Sequence, residues 1–176
     1  MGCERLLAGL DRSAGVVADQ VHCAAVDALG SLHPVRSSAQ AAARQALASG
    51  RVIVVYPEGT VTRDPEGWPM TARTGAVRLA LQTGAPLVPV GQWGIQELLP
   101  YGGRAPRPFP RKTARIRIGA PVDLDDLRGA PMTASGLRAG TERMMDAITA
   151  IVADLRGEPA PAGRWDPRTG RREPGA

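Results

Sequence analysis

Lysine is almost absent from this chain: Lys112 is the only one, although Lys and Arg together number 22 of 176 residues. Aromatic residues make up 3%, and the two cysteines, Cys3 and Cys23, stand far apart. Each scarcity excludes something. Without a Cys-x-x-Cys pair there is no zinc or redox motif, so no metal is expected, and the thiols should be reduced in a cytoplasmic setting. No apolar run approaches the roughly 20 residues of a spanning helix, and the N-terminus lacks the basic-then-apolar order of a secretory signal. Leu6 occupies the position where a myristoylation signal wants Ser or Thr. Any membrane contact is therefore expected to be peripheral. With few aromatics to stack on bases and no helix-turn-helix or RNA-binding motif, the positive charge does not point to nucleic acid.

What is present fits one globular domain. Hydrophobic residues make up 43% and charged residues 22%, enough to bury a core of Leu, Val, Ile, Met and Ala. The net charge of +5 and a pI near 10.2 rest on arginine, a balance suited to polyanions or anionic lipid surfaces. Arg104, Arg107, Arg111, Lys112, Arg115 and Arg117 form its densest stretch, with no acid between them. That stretch is either a solvated face or one that meets a membrane.

Periodicity divides the chain further. Residues 1–30 carry Leu6, Leu7, Leu10, Val16, Val17 and Val21 at roughly helical spacing. Ser37 with Gln40 makes a capping box, predicting an alanine-rich helix over 39–49 that stops at Gly50. The β-branched run at 52–56 predicts a strand buried on both faces. A long loop over 57–70, a helix over 75–83 ended by Gly84 and a second buried strand at 87–90 complete a βαβ pattern with a parallel pair. Residues 114–119 alternate Arg and Ile, predicting an edge strand with both arginines on one wet face. Met144, Met145, Ile148, Ile151, Val152 and Leu155 then predict an amphipathic helix lying on the sheet. Residues 1–157 read as the domain, and 158–176, rich in Pro, Gly and Arg, as a disordered tail.

The chemistry collects in Tyr56-Pro57-Glu58-Gly59-Thr60-Val61-Thr62-Arg63, at the end of the first expected strand. Gly59 permits close backbone approach to a ligand, Thr60 and Thr62 offer hydroxyl donors, and Arg63 can hold two phosphate oxygens at once. Glu58 is no phosphate ligand by charge, so its expected part is to order arginines or to bind a substrate hydroxyl.

Pro57-Glu58-Gly59-Thr60 with Arg63 resembles the third sequence block of the lysophosphatidate (1-acylglycerol-3-phosphate) acyltransferases. Thr74-Gly75-Ala76-Val77-Arg78-Leu79-Ala80 and Gly84-Ala85-Pro86-Leu87-Val88-Pro89-Val90 resemble the helix and Val-Pro-Val strand that follow it. Upstream, residues 29–36 resemble the second block, which assigns Arg36 to the substrate phosphate, although His33 is an extra residue and Ser37 replaces a second arginine. The resemblance covers about residues 29–167. It implies an α/β fold with a central, mostly parallel mixed sheet flanked by helices. It also implies transfer of an acyl group to lysophosphatidate from acyl-CoA or acyl carrier protein, without a cofactor, at the inner membrane surface.

The family's first block, His-x4-Asp, supplies the base that deprotonates the glycerol hydroxyl and the aspartate that orients it. His22 and Asp27 meet the bare pattern, but Asp27 lies only nine positions before Arg36, and Val21 and Ala24 replace the usual asparagine and serine. On a regular helix the two would lie about 140° apart. Either the pair is displaced and working, or the match is by chance. In the second case the chain is an N-terminally incomplete acyltransferase, which its composition favours, or a degenerate relative that binds phospholipid without catalysis.

Overall fold

The computed structural model describes residues 36–99 and 105–173, and within them the chain is mixed α/β. In order come helix α1 (Arg36–Ala48), helix α2 (Gly75–Thr83), strand β1 (Val90–Trp93), the short helix α3 (Ile95–Leu98) and strand β2 (Arg115–Ile118). A 3-10 turn (Asp125–Leu127), the long helix α4 (Ala134–Arg156) and strands β3 (Arg164–Asp166) and β4 (Arg171–Glu173) follow. No described helix is long and apolar enough to cross a membrane.

The two helices read from periodicity organise the core. α2 spans the expected residues and ends at Gly84. α4 starts at the cap Thr133, whose hydroxyl accepts the Gly136 N–H at 3.0 Å, and so satisfies one of the amides left open by a first turn. Met144 and Met145 of α4 follow Leu137 by seven and eight positions, two turns on along the same face, and the three bury against Ala76, Val77 and Ala80 of α2, with Leu124 closing the cluster. Each of the larger side chains contributes about 1.5 to 3 kcal/mol when fully buried. The second half of α4 lies on β1 and β2. There Gly91 is in close contact with the helix, and a Cβ on it would stand 2.5 Å from Ile151 Cγ2. Only glycine fits that crossing.

The sheets differ from expectation. Among the described residues they are two antiparallel pairs, β1 with β2 and β3 with β4, and no large parallel sheet is present. The parallel contact is a single bridge between Met70 and Trp165. Residues 52–56 form no strand: Val52 is 84% exposed and Tyr56 72%. A buried strand needs a hydrogen-bonded neighbour on each side, and the segment after α2, its expected partner, pairs from Val90 onward with β2 instead. The βαβ unit is therefore absent from the described residues. α1 begins at Arg36, which places Ser37 inside the helix and not at its cap.

β2 forms where alternation placed it, with both arginines on one exposed face as expected, but with its isoleucine face exposed as well. Its register opposite β1 puts Arg115 and Arg117 on the side of Trp93 and Gly91, toward α4. Arg115 Nη1 donates to the Leu155 carbonyl at 3.2 Å, and Arg117 Nη1 to Asp154 at 2.9 Å. A cation near a helix C-terminus is favoured by the dipole and the open carbonyls there. The isoleucines consequently face outward, Ile116 64% and Ile118 65% exposed.

Residues 164–173, expected within a disordered tail, form the β3–β4 hairpin. Ion pairs and one aromatic hold it where apolar residues are scarce. Arg164, nearly buried, binds Glu142 and Asp146 of α4. Trp165 accepts the Thr71 N–H through its carbonyl at 3.0 Å, which joins the hairpin to the end of the 57–70 loop.

Candidate functional site

The 57–63 loop begins with a tight turn. The Gly59 N–H donates to the Tyr56 carbonyl at 3.1 Å, with Gly59 at φ +70°, a conformation that costs other residues about 1 kcal/mol or more. The Pro57 carbonyl accepts the Arg73 N–H at 2.9 Å, so the residue two before α2 is tied to the turn. Where a side chain at 59 would stand, the Arg73 guanidinium runs past: Nε would lie 3.4 Å from a Cβ placed there.

The second half of the loop is held from inside. Asp64 is buried, and its Oδ1 accepts the N–H groups of Glu66 at 2.8 Å and Trp68 at 3.3 Å. Thr62 donates its hydroxyl to the Trp68 carbonyl at 2.8 Å and accepts the Asp64 N–H at 3.3 Å. That hydroxyl is spent on the loop, contrary to its expected use as a phosphate donor. The Arg63 N–H points to Met70 Sδ at 3.0 Å, and Met70 is fully buried. Arg63 thus has an anchored backbone and an exposed side chain. Among the described residues its guanidinium makes no ion pair or hydrogen bond.

Two further arginines clamp the loop from outside. Arg156, at the end of α4, stacks between Trp68 and Trp93, its Cζ 3.9 and 4.2 Å from the ring centroids, and donates to the Glu66 carbonyl at 2.8 Å. Such cation–π contacts contribute about 0.5 to 2 kcal/mol each. Arg172 of β4 reaches Asp64 Oδ1 at 3.1 Å and also binds Glu66.

Glu58 has an unusual setting. Its Oε2 is buried without a hydrogen-bond partner, and no arginine binds the carboxylate among the described residues. It therefore does not order arginines as expected. Burial is the main cause that raises its pKa from 4.5 to about 7, opposed by the Met70 backbone and reinforced by the negative charge of Asp64. A carboxyl so placed is about half protonated at pH 7, which reduces the negative charge beside the turn.

Of the residues singled out in the sequence, Glu58, Gly59, Thr60 and Arg63 share this one turn and its exit. Arg36 is the first residue of α1, and His22 and Asp27 lie outside the described residues. Sequence reasoning missed Asp64, Arg73, Arg156 and Arg172. Asp64 had a signal, since Asp64-Pro65-Glu66-Gly67 has turn chemistry in which an aspartate accepts N–H bonds two residues on. The arginines had none, because their partners are distant in sequence.

Among the described residues the loop lies at the surface, and two hollows of about 220 and 260 Å³ lie away from it, at Gly94 and Lys112 and at Leu127 and Met132. No group of His, Cys, Asp and Glu among the described residues could hold a metal ion. Its chemistry is that of a glycine turn with a carboxyl of raised pKa and guanidinium groups that are unpaired among the described residues, groups able to donate to an anion. No curated protein and no solved structure matches the chain. The Acyltransferase family model does match residues 11–93, a span that contains this loop, and the match supports the acyltransferase family for this protein.

Proposed function

We propose that this protein is an acyltransferase-type domain of phospholipid synthesis whose 58–63 loop holds the phosphate of lysophosphatidate. A fixed phosphate presents the free glycerol hydroxyl for acylation by acyl-CoA or acyl carrier protein, and the product is phosphatidate. The observation that carries this reading is the acyltransferase match over residues 11–93, which runs continuously through His22, Asp27, Arg36 and the loop. The exposed, unpaired Arg63 supports the choice of a phosphate-bearing acceptor.

In this reading Arg63 grips two phosphate oxygens, Arg36 assists from the start of α1, and Gly59 and Thr60 offer close donors. Glu58, in its protonated form, can donate to a substrate oxygen. His22 is the candidate base for the glycerol hydroxyl, with Asp27 as its orienting partner. One observation favours a second reading, a phospholipid binder without catalysis: Asp27 stands only nine positions before Arg36, closer than the family spacing.

Phosphatidate formation from lysophosphatidate and acyl-CoA, followed for the purified chain and for His22→Ala, separates the two. The binder reading predicts turnover about 10² to 10⁴ below that of an enzyme with a positioned base. Robust turnover abolished by His22→Ala would instead establish His22 and Asp27 as the catalytic pair. Lysophosphatidate binding without product would favour the binder, and neither binding nor product would defeat both readings.

The substrate resides in a membrane, and we assign peripheral contact to Arg107 and Arg111, which are exposed, since Arg115 and Arg117 are engaged by α4. Sedimentation with anionic vesicles should then fall as salt rises, because exposed charges are screened over about 8 Å at physiological ionic strength. Equal sedimentation with neutral vesicles would contradict it.

A further inference from the structure

Arg73 has no place in the sequence blocks discussed above, yet the fold sets it against the candidate site. Its N–H donates to the Pro57 carbonyl, so its backbone moves with the turn. Its guanidinium passes over Gly59 in ordinary contact, with Nε 3.4 Å and Cζ 3.7 Å from where a Cβ there would stand. It is exposed, and among the described residues no carboxylate pairs with it and its side chain makes no hydrogen bond. Most arginines of α4 and the hairpin differ: Arg143, Arg156, Arg164, Arg168 and Arg172 all hold carboxylates.

Charge makes the second cation useful. A phosphate monoester carries about −1.5 to −2 at neutral pH, so a single guanidinium leaves close to one negative charge uncompensated. Arg63 leaves the loop after the turn, and Arg73 lies along the turn itself. Glu58, the acid nearest in sequence to Gly59, supplies no counterion to either.

We propose that Arg73 is a second phosphate-binding residue, which holds the phosphomonoester of the acceptor at the Gly59 turn together with Arg63. The inference rests on the reading of the loop as a phosphate site. It adds that the site is selective for a dianionic headgroup.

Titration calorimetry on the full chain tests it with three probes: lysophosphatidate below its micelle concentration, sn-glycerol 3-phosphate, and a monoacylglycerol that lacks phosphate. Arg73→Ala should weaken both phosphate ligands about tenfold to a hundredfold and leave the monoacylglycerol unchanged, as loss of a charge-assisted contact requires. Arg73→Lys should recover part of the loss, since it keeps the charge but not the paired donors. If Arg63→Ala weakens phosphate binding and Arg73→Ala does not, this inference fails while the loop reading stands. If Arg73→Ala weakens all three probes equally, its role is structural and the inference also fails. Should the unaltered protein prefer neither phosphate ligand to monoacylglycerol, the loop reading itself fails. Loss confined to lysophosphatidate, with glycerol 3-phosphate never bound, would identify the lipid and not the free phosphate ester as the source of the headgroup.

Discussion

Arg172, in the last strand, and Asp64, in the middle of the candidate loop, are 108 positions apart and meet with Nη2 3.1 Å from Oδ1. A second approach, 2.9 Å to Oδ2, is an ion contact and not a directed hydrogen bond, since Oδ2 has no hydrogen-bond partner. Asp64 spends Oδ1 on two loop N–H groups as well, so one buried carboxylate fixes the loop's shape and fastens it to the hairpin.

Asp64→Ala should therefore destabilise the protein by about 3 kcal/mol, the low end for breaking a buried pair, because Arg172 keeps some solvent and the Glu66 carboxylate. Urea unfolding followed by tryptophan fluorescence measures it, with Trp68 and Trp165 beside the break. A loss below about 0.5 kcal/mol, the range of ordinary surface substitutions, would mean that the hairpin does not hold the loop.

Glu58 predicts how stability depends on pH. Its pKa in the folded chain is about 7, above the ordinary 4.5. Between those values the folded state keeps a proton that the unfolded state has lost, so this group's contribution falls as pH rises and is fully unfavourable above about 7. Glu58→Gln should leave stability nearly unchanged at pH 4 and raise it above pH 7 by about 1 to 2 kcal/mol, after a discount for partial solvation. Denaturation midpoints of the two proteins at pH 4 and pH 8 make the comparison, and a gain equal at both would rule out the titration.

The helices were legible because their apolar spacing has one solution: the side chains at Val77, Met144 and Met145 must share a core. The alternating arginines and isoleucines of β2 revealed the strand and its wet arginine face, but alternation does not say whether a partner covers the other face, and the isoleucines stay exposed too. Arg115 and Arg117 reach a helix-end carbonyl at Leu155 and a carboxylate at Asp154 while remaining exposed. Residues 52–56 misled differently. Their β-branched composition favours a buried strand, but burial is decided by neighbours, and none pairs with them among the described residues. The hairpin was illegible because distant ion pairs hold it, with no apolar pattern to read. Within the site, the turn and its Glu58, Gly59 and Arg63 were visible as a motif, whereas the clamps at Arg156 and Arg172 depend on contacts that only the fold creates.

In the proposed function the 58–63 loop binds the phosphate of lysophosphatidate through Arg63. Arg63 is exposed, so its loss should spare the fold, and circular dichroism of the variant provides that control. The direct measurement is the dissociation constant for lysophosphatidate, determined by titration calorimetry on the unaltered protein and on Arg63→Ala. Arg63→Ala should weaken binding by about 1.5 to 3 kcal/mol, the scale of a hydrogen bond to a charged group. Equal dissociation constants for the two proteins would contradict it.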